Sequence, residues 1–316
     1  MFLLDPEIFL WDLAILLMLA FGMIVSILSF RRGKWWIVLG TISLACVLIV
    51  AYGSFVEPQT ITVSHHTVAL PIQDKLRIVV ISDFQVGPYK TARFVKRVVQ
   101  QTNGMYPDLV LLVGDFVNSN TSNVSDLLPL GDLRATLGVF AVLGNHDIGK
   151  HLSLLRKPVV SEDRGTEVAR FLRELDITVL ENEHSFVTLP HGQLAIAGIT
   201  DVWSENSDVT RALRGILPST LTILLSHNPD IVLQEESFAA DLIVSGHTHG
   251  GQIRLPFFGP VRSVPTQLGD AFSQGLFTVE TGLRTTQQLA ITRGVGESLT
   301  RARLLAWPEI LVLDVE

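Results

Sequence analysis

The stretch GHTHGGQ at 246–252 sets two imidazoles around one threonine, between glycines, directly after the apolar run DLIVS. Imidazole lone pairs are common metal ligands, and a stretch like this one can also be a plain polar turn. Four other apolar runs end in residues of the same kind. VVIS is followed by Asp83-Phe84-Gln85, LLV by Gly114-Asp115, FAVL by Gly144-Asn145-His146-Asp147, and TILLS by His227-Asn228. Singly, each reads as a turn or a helix cap. Five such endings in one chain read as a site. The donors are the carboxylates of Asp83 and Asp115, the amides of Gln85 and Asn145, and the imidazoles of His227, His247 and His249, with His146 to spare. Mixed carboxylate, amide and imidazole suit Mn, Fe or Zn better than Ca. The single cysteine, Cys46, excludes a thiolate cage and an intrachain disulfide. Seven donors are too many for one ion. Two ions about 3.5–4 Å apart, sharing a bridging carboxylate, would use them all.

Something must bring these endings together. From Leu76 onward, short β-branched runs alternate with polar residues and helical stretches. LRIVVIS, DLVLLV, GVFAVL, HSFVTLP, QLAIAGI, LTILLS, DLIVS, GLFTVE, QLAITR and EILVLDV read as strands. TARFVKRVVQQ and EVARFLREL read as amphipathic helices. That order indicates an α/β or layered α+β domain, in which ligands bind beyond the carboxyl ends of strands. The stretch from Gly250 to Gln274 reads as an irregular loop over the site. VEPQTITVSHHTVALP at 56–71 reads as a linker running into an edge strand. His65 and His66 within it would point to opposite faces and are not expected to be ligands.

The front of the chain differs. The whole is 316 residues, 47% hydrophobic, with a net charge of −7, and the apolar excess is concentrated in two runs, about 8–30 and 35–55. Each is long enough to cross a bilayer as a helix, and Trp11, Trp35, Trp36 and Tyr52 lie near the ends, where amphipathic rings prefer the interface. Asp12 reads as interfacial. Arg31, Arg32 and Lys34 lie between the runs, and the opening MFLLDPE has no Lys or Arg, which argues for a hairpin rather than a signal peptide. The positive-inside rule then puts the RRGK turn in the cytoplasm and the soluble part outside, on a multi-pass inner-membrane protein. The acidic balance argues against nucleic acid as a partner. The expected division is 1–55 hairpin, 56–70 linker and edge strand, and 71–316 soluble domain.

In order, SDFQ, GDF, GNHD, SHNPD and GHTHGGQ closely resemble the motif series of the calcineurin-like metallophosphoesterases. ITRGVGESLTRARLLAWPEILVL resembles the C-terminal strands of that family's membrane-associated bacterial branch, which includes phosphodiesterases and UDP-2,3-diacylglucosamine hydrolases. The resemblance covers nearly all of the soluble part. It implies a four-layer αββα sandwich of two face-to-face sheets with helices outside, here preceded by the transmembrane hairpin. It also implies that Asp83, Gln85, Asp115 and His249 hold one ion and that Asp115, Asn145, His227 and His247 hold the other. His146 would stand near the leaving group, positioned by Asp147. One position departs from the pattern: the family usually has Asp-x-His where this chain has Asp83-Phe84-Gln85. A neutral amide carbonyl is a weaker, harder donor than imidazole and would favour Mn or Fe over Zn.

The implied chemistry is hydrolysis of a phosphodiester, phosphomonoester or pyrophosphate by water activated between two divalent ions, with attack in line at phosphorus. A domain held at the bilayer favours a lipid-linked substrate over a small soluble one, with membrane lipids as neighbours. Arg254 and Arg293 are candidates for substrate phosphate, with a surface salt bridge as the alternative for each. The competing reading is a weak or inactive scaffold that keeps the fold.

Overall fold

The computed structural model of the chain describes residues 6–153, 157–280 and 286–316. The first five residues of MFLLDPE, on which part of the orientation rests, lie outside them. Two helices open the chain, α1 (Pro6–Phe30) and α2 (Lys34–Ala51). They pack on each other through small residues. Ser43 Oγ donates to the Gly22 carbonyl (2.7 Å) and Ser26 Oγ to the Gly40 carbonyl (2.9 Å), and a Cβ on Gly22 would meet Val47 Cγ2 at 2.6 Å. Close backbone approach of this kind is how helices associate in lipid, where apolar burial alone gives no drive. Their large side chains face outward: Phe21 is 70% exposed, Leu10 and Leu48 each 61%. Both helices are long and apolar enough to cross a membrane, over Phe9–Phe30 and Trp35–Gln59. The helical path therefore continues four residues past the sequence expectation, through turns over Tyr52–Val56 and Glu57–Gln59.

The remaining elements in chain order are β1 (Thr62–Val68), β2 (Leu76–Ile81), α3 (Ala92–Gly104), β3 (Leu109–Val113), β4 (Val139–Val142), β5 (Lys150–Leu152), β6 (Pro158–Val160), α4 (Gly165–Glu174), β7 (Thr178–Val179), β8 (Glu183–Leu189), β9 (Gly192–Gly198), α5 (Val209–Leu213), β10 (Leu221–Leu225), β11 (Leu242–Ser245), β12 (Arg254–Leu255), β13 (Gly259–Pro260), β14 (Gly275–Glu280), β15 (Thr286–Ile291) and β16 (Glu309–Val315). One six-stranded sheet runs β1-β16-β2-β3-β4-β7, the other β14-β15-β11-β10-β9-β8. Within them β2, β3, β4 and β7 are mutually parallel, as are β9, β10, β11 and β15. The expected edge strand is there: β1 closes one side of the first sheet, in register with β16 from Thr62↔Glu309 to Val68↔Val315.

Alternation along each strand builds the layers. Ile78 and Val80 of β2, with Leu109, Leu111 and Val113 of β3, meet Ile223 and Leu225 of β10 and Leu242 and Val244 of β11 between the sheets. The intervening Val79, Ile81, Val110 and Leu112 face α3 and α4, which bring Phe94, Val95, Val98, Val168 and Leu172. On the far side, Leu224 and Ile243 pack with Val209 and Ala212 of α5. The result is the four-layer sandwich. Each fully buried Val, Leu or Ile contributes about 1.5–3 kcal/mol. A one-residue slip of β2 would exchange its two faces, but both are apolar, so the polar residue that must follow Ser82 pins its register as firmly as the core does.

Candidate metal centre

The parallel strands all deliver their carboxyl ends to one end of the sandwich. Asp83 and Gln85 follow β2, Asp115 follows β3, Asn145 to Asp147 follow β4, His227 follows β10, and His247 and His249 follow β11. All these residues except His146 are buried. Five of them sit in the left-handed region: Asp83 (φ 55°), Gln85 (48°), Asp115 (56°), His247 (70°) and His249 (50°). A non-glycine residue there costs of order 1–3 kcal/mol and persists only where the surroundings hold it, typically at binding sites. Gly144 allows the closest approach. A Cβ at that position would stand 2.2 Å from Asp115 Oδ1.

One oxygen or nitrogen from each of Asp83, Asp115 and His227 lies within 4.8 Å of the other two. His227 Nε2 is 3.2 Å from Asp115 Oδ2, and His249 Nε2 is 3.3 Å from Asp83 Oδ1. Each of the three rings gives its other nitrogen to a backbone carbonyl: His227 Nδ1 to Val113 (2.7 Å), His249 Nδ1 to Gly296 (3.2 Å), and His247 Nε2 to Pro265 (3.0 Å). A carbonyl can only accept, so these nitrogens carry a proton, and the opposite ones, which face the site, offer a lone pair whenever the ring is neutral. His247 thus faces inward through Nδ1, the other two through Nε2.

The amides are oriented in the same way. Asn145 Nδ2 donates to the Lys150 carbonyl (2.7 Å), and Gln85 Nε2 donates to Asp115 Oδ2 (2.9 Å). Their oxygens, with Asp83 Oδ1 and His227 Nε2, are buried without a hydrogen bond. A buried polar atom left unsatisfied costs about 1–3 kcal/mol, so four together need a partner. Two carboxylates, two amide oxygens and three imidazoles around that space fit divalent cations. The protonation pattern is consistent with a site built around cationic charge. Burial pushes Asp83 up to about 7, with Asp115 adding repulsion and His227 opposing. Burial also opposes ionisation of Asp115, yet the adjacent His227 and His146 hold its carboxyl below the usual range. Burial brings His247 down to about 3, helped by His227, and holds His249 well below its ordinary value, helped by Arg303. Both are therefore neutral, the form that can bind a metal.

The Asp147 side chain is buried between two loops. Its carboxylate does not touch the His146 ring. Oδ1 accepts from the Phe116 and Val117 amides (2.9 and 3.0 Å), and Oδ2 accepts from the Gly144 amide (2.9 Å). It ties the loop after β3 to the loop after β4, because fully buried carboxylate oxygens take the nearest free amides. The His146 ring is instead fixed by Nδ1 donating to the Asn118 carbonyl (2.9 Å) and by stacking on His151 at 5.2 Å between centroids. Its Nε2 lies 3.3 Å from Ser298 Oγ.

The two arginines have partners of their own. Arg254 Nη1 donates to the Gly250 carbonyl (2.7 Å) and to Ser273 Oγ (3.1 Å). Arg293 pairs with Glu309 at 2.9 Å, closing the base of β16. Neither is among the described residues that line the cavity above the centre. That cavity, about 340 Å³, has Asp115, Asn145, His146, His247 and His249 at its floor. Arg262 is the arginine on its wall, together with Trp203, Val261, Leu299 and Trp11 of α1. Sequence reading missed these residues, and also Arg303. Arg303 is fully buried and donates to the carbonyls of Gly296, Ala306 and Arg293, holding the Gly296 carbonyl where it orients His249. Asp201 is a further one: burial pushes it up to about 6, and it accepts from the Trp203 amide (2.8 Å) to set that ring edge-on to His247.

Comparison with known proteins agrees with this geometry. The profile of the family described as "Calcineurin-like phosphoesterase" matches residues 76–251. The chain is 30% identical over 274 residues to the uncharacterized metallophosphoesterase YkuE of Bacillus subtilis, covering 84% of this chain and 89% of that one. It is 30% identical over 279 residues to the phosphodiesterase YaeI of Escherichia coli, covering 84% and 92%. It is also 27% identical over 279 residues to the UDP-2,3-diacylglucosamine pyrophosphatase LpxG of Chlamydia muridarum, covering 75% and 83%.

Proposed function

The chain belongs to the calcineurin-like phosphoesterase family and is a hydrolase, and from that premise we propose that it is a membrane-anchored, two-metal enzyme cleaving a phosphodiester or pyrophosphate bond in a lipid-linked substrate. The observation that carries the metal assignment is the set of orphaned inward atoms: Asp83 Oδ1, Gln85 Oε1, Asn145 Oδ1 and His227 Nε2. In this reading Asp83, Gln85 and His249 hold one ion, Asn145, His227 and His247 the other, and Asp115 both. Bound there, divalent cations supply Lewis-acid neutralisation of phosphoryl charge and an acidified water.

The protein's own residues do the rest. Asp115, kept ionised by its neighbours, is suited to bridging. His146 has committed Nδ1–H to a carbonyl, so it is as the imidazolium, through Nε2–H, that this ring gives a proton to the leaving oxygen. Arg262 is on the cavity wall, with Nη2 donating to the Ser153 carbonyl (3.1 Å), which places its charge beside the phosphate position. Gln85 directs its N–H to Asp115 and leaves its carbonyl inward, which supports a weak ligand rather than a contact to substrate. The first ion would then bind less tightly than the second, and an oxygen-rich first site favours Mn or Fe.

Lipid linkage is supported by the two apolar helices and by Trp11 of α1 on the cavity wall. The relatives named as a phosphodiesterase and a lipid-nucleotide pyrophosphatase support the bond class. The RRGK turn supports an extracytoplasmic domain. Metal analysis of the detergent-solubilised protein, with turnover of bis-p-nitrophenyl phosphate and of lipid pyrophosphates under added Mn, tests the reading. Up to two transition ions per chain and Mn-dependent hydrolysis are expected. No bound ion and no turnover of any phosphoester would leave a scaffold. An impermeant thiol reagent on a cysteine placed in the soluble domain tests the orientation: labelling only after the inner membrane is broken would reverse it.

A further inference from the structure

Residues 254–261 read RLPFFGPV and form the hairpin β12–β13, with Arg254 opposite Pro260 and Leu255 opposite Gly259. At its tip Phe257 is fully exposed and Phe258 86% exposed, and Val261 and Leu255 beside them are 61% and 49% exposed. Single exposed apolar residues are ordinary on a protein surface. A contiguous apolar tip is a contact surface. No acidic residue occurs from 254 to 262, and Arg254 and Arg262 bracket the run.

What covers the tip is indicated by its neighbours. The Arg254 amide donates to the Leu304 carbonyl (2.9 Å), and Ile253 bridges Leu304. Leu304 in turn lies against Gly53, just past α2, with its Cβ 3.8 Å from where a Cβ on Gly53 would stand, and the Arg303 amide donates to the Gly53 carbonyl (2.8 Å). One stretch of chain thus joins the end of α2 to the base of the hairpin. On the other side, Val261 shares the cavity wall with Trp11 near the start of α1. Trp307 Nε1 reaches Tyr52 Oη at 3.2 Å, so aromatic residues suited to a bilayer interface gather at this junction.

We propose that the 254–261 hairpin inserts its Phe257–Phe258 tip into the bilayer beside α1 and α2, and that the cavity mouth between the hairpin and Trp11 opens onto the lipid. This rests on the reading above that α1 and α2 span the membrane. The occupant is the bilayer itself, whose acyl region the apolar rings enter. A lipid-linked phosphate then reaches the metal centre sideways, its chains remaining in the membrane between Trp11, Leu299 and Val261.

The test uses the full chain in phosphatidylcholine–phosphatidylglycerol vesicles. In a Cys46→Ser background, an environment-sensitive NBD probe is attached at Phe258→Cys and, for comparison, at Tyr106→Cys, an exposed position before β3 at the amino ends of the strands. At 258, blue-shifted emission quenched by doxyl-labelled lipid and spared by iodide is expected, with the reverse at 106. Protein that floats with the vesicles while both probes are quenched alike by iodide overturns the insertion and leaves the anchor reading intact. Protein that does not float overturns both. The double variant Phe257→Ser, Phe258→Ser is expected to lose about tenfold in turnover of a vesicle-embedded lipid pyrophosphate, with hydrolysis of bis-p-nitrophenyl phosphate in detergent unchanged. Equal turnover of the embedded lipid by variant and parent overturns the lateral route.

Discussion

The floor and the rim of the cavity are built on opposite terms. The floor is buried, polar and strained: five of its residues hold left-handed backbone, and several of its polar atoms point inward without a partner. The rim is largely apolar and open, drawn from α1, Val261 at the end of the 254–261 hairpin and the segment 298–300. The floor is fixed by two rigid sheets, so its geometry can be exact enough for chemistry. The rim comes from connections and from α1, so it can be shaped to a substrate without disturbing the floor.

The sharpest way to break this contrast is at the floor. Asp115→Ala is expected to remove both ions and lower kcat by at least ~10³-fold, a loss of ~4 kcal/mol of transition-state stabilisation. Full metal stoichiometry in that variant would defeat the bridging role. His146→Ala is expected to keep both ions and lose about 10²–10⁴-fold in kcat, with the smallest loss on a substrate whose leaving group needs no proton. Comparing p-nitrophenolate with alkoxide leaving groups measures this.

Between floor and anchor stands a buried ion pair, Lys90 Nζ to Glu297 Oε2 at 3.1 Å, with Lys90 also donating to the Pro58 carbonyl. Lys90→Ala strands Glu297 and is expected to destabilise the fold by about 3–5 kcal/mol in denaturant titration. Burial brings Lys90 down to about 8 against the pull of Glu297, below its ordinary 10.5. Between those values the unfolded chain holds more protons than the folded one. The parent's unfolding free energy should therefore gain from this group as pH rises from about 8 to 10.5, a gain absent in Lys90→Met.

Two smaller effects refine the comparison. Gln85→His is expected to tighten the first ion by one to two orders of magnitude, roughly 1.4–2.8 kcal/mol, and to reduce the Mn requirement. A changed substrate preference at unaltered Mn dependence would instead assign Gln85 to recognition. Arg254→Ala is expected to change kcat and KM by less than about twofold, because its guanidinium is bound to Gly250 and Ser273 away from the cavity.

The floor was legible in the sequence and the rim was not, for one physical reason. Each floor residue follows an apolar strand within a few positions, so strand and ligand are read together, as in VVIS then Asp83. The strand assignments and the layered α/β class follow from the same alternation, and the sandwich from the resemblance of the motif series. Rim residues are brought together only by tertiary structure: Trp11, Arg262 and Ser298 share a wall while lying far apart in the chain. Side-chain partners were equally hidden. Nothing in GNHD tells that Asp147 would take three backbone amides, and nothing in ITRG tells that Arg293 would meet Glu309.

Strand β16 lies between β1 and β2, so the first sheet is continuous only when residues 309–315 are in place. Thr62, the first residue of β1, bonds Pro308, 246 residues downstream. At about 5–20 residues per second, the ribosome needs roughly 10–50 s to make that interval. During it, β1 and β2 each wait with an unpaired edge facing the space that β16 will fill. Such edges recruit other chains. Folding of this protein is thus ordered in time: the two leading helices emerge first, the second sheet can assemble next, and the first sheet closes last. A chain stalled or clipped before residue 309 would be left with two open strands, a substrate for quality-control proteases rather than a slower enzyme.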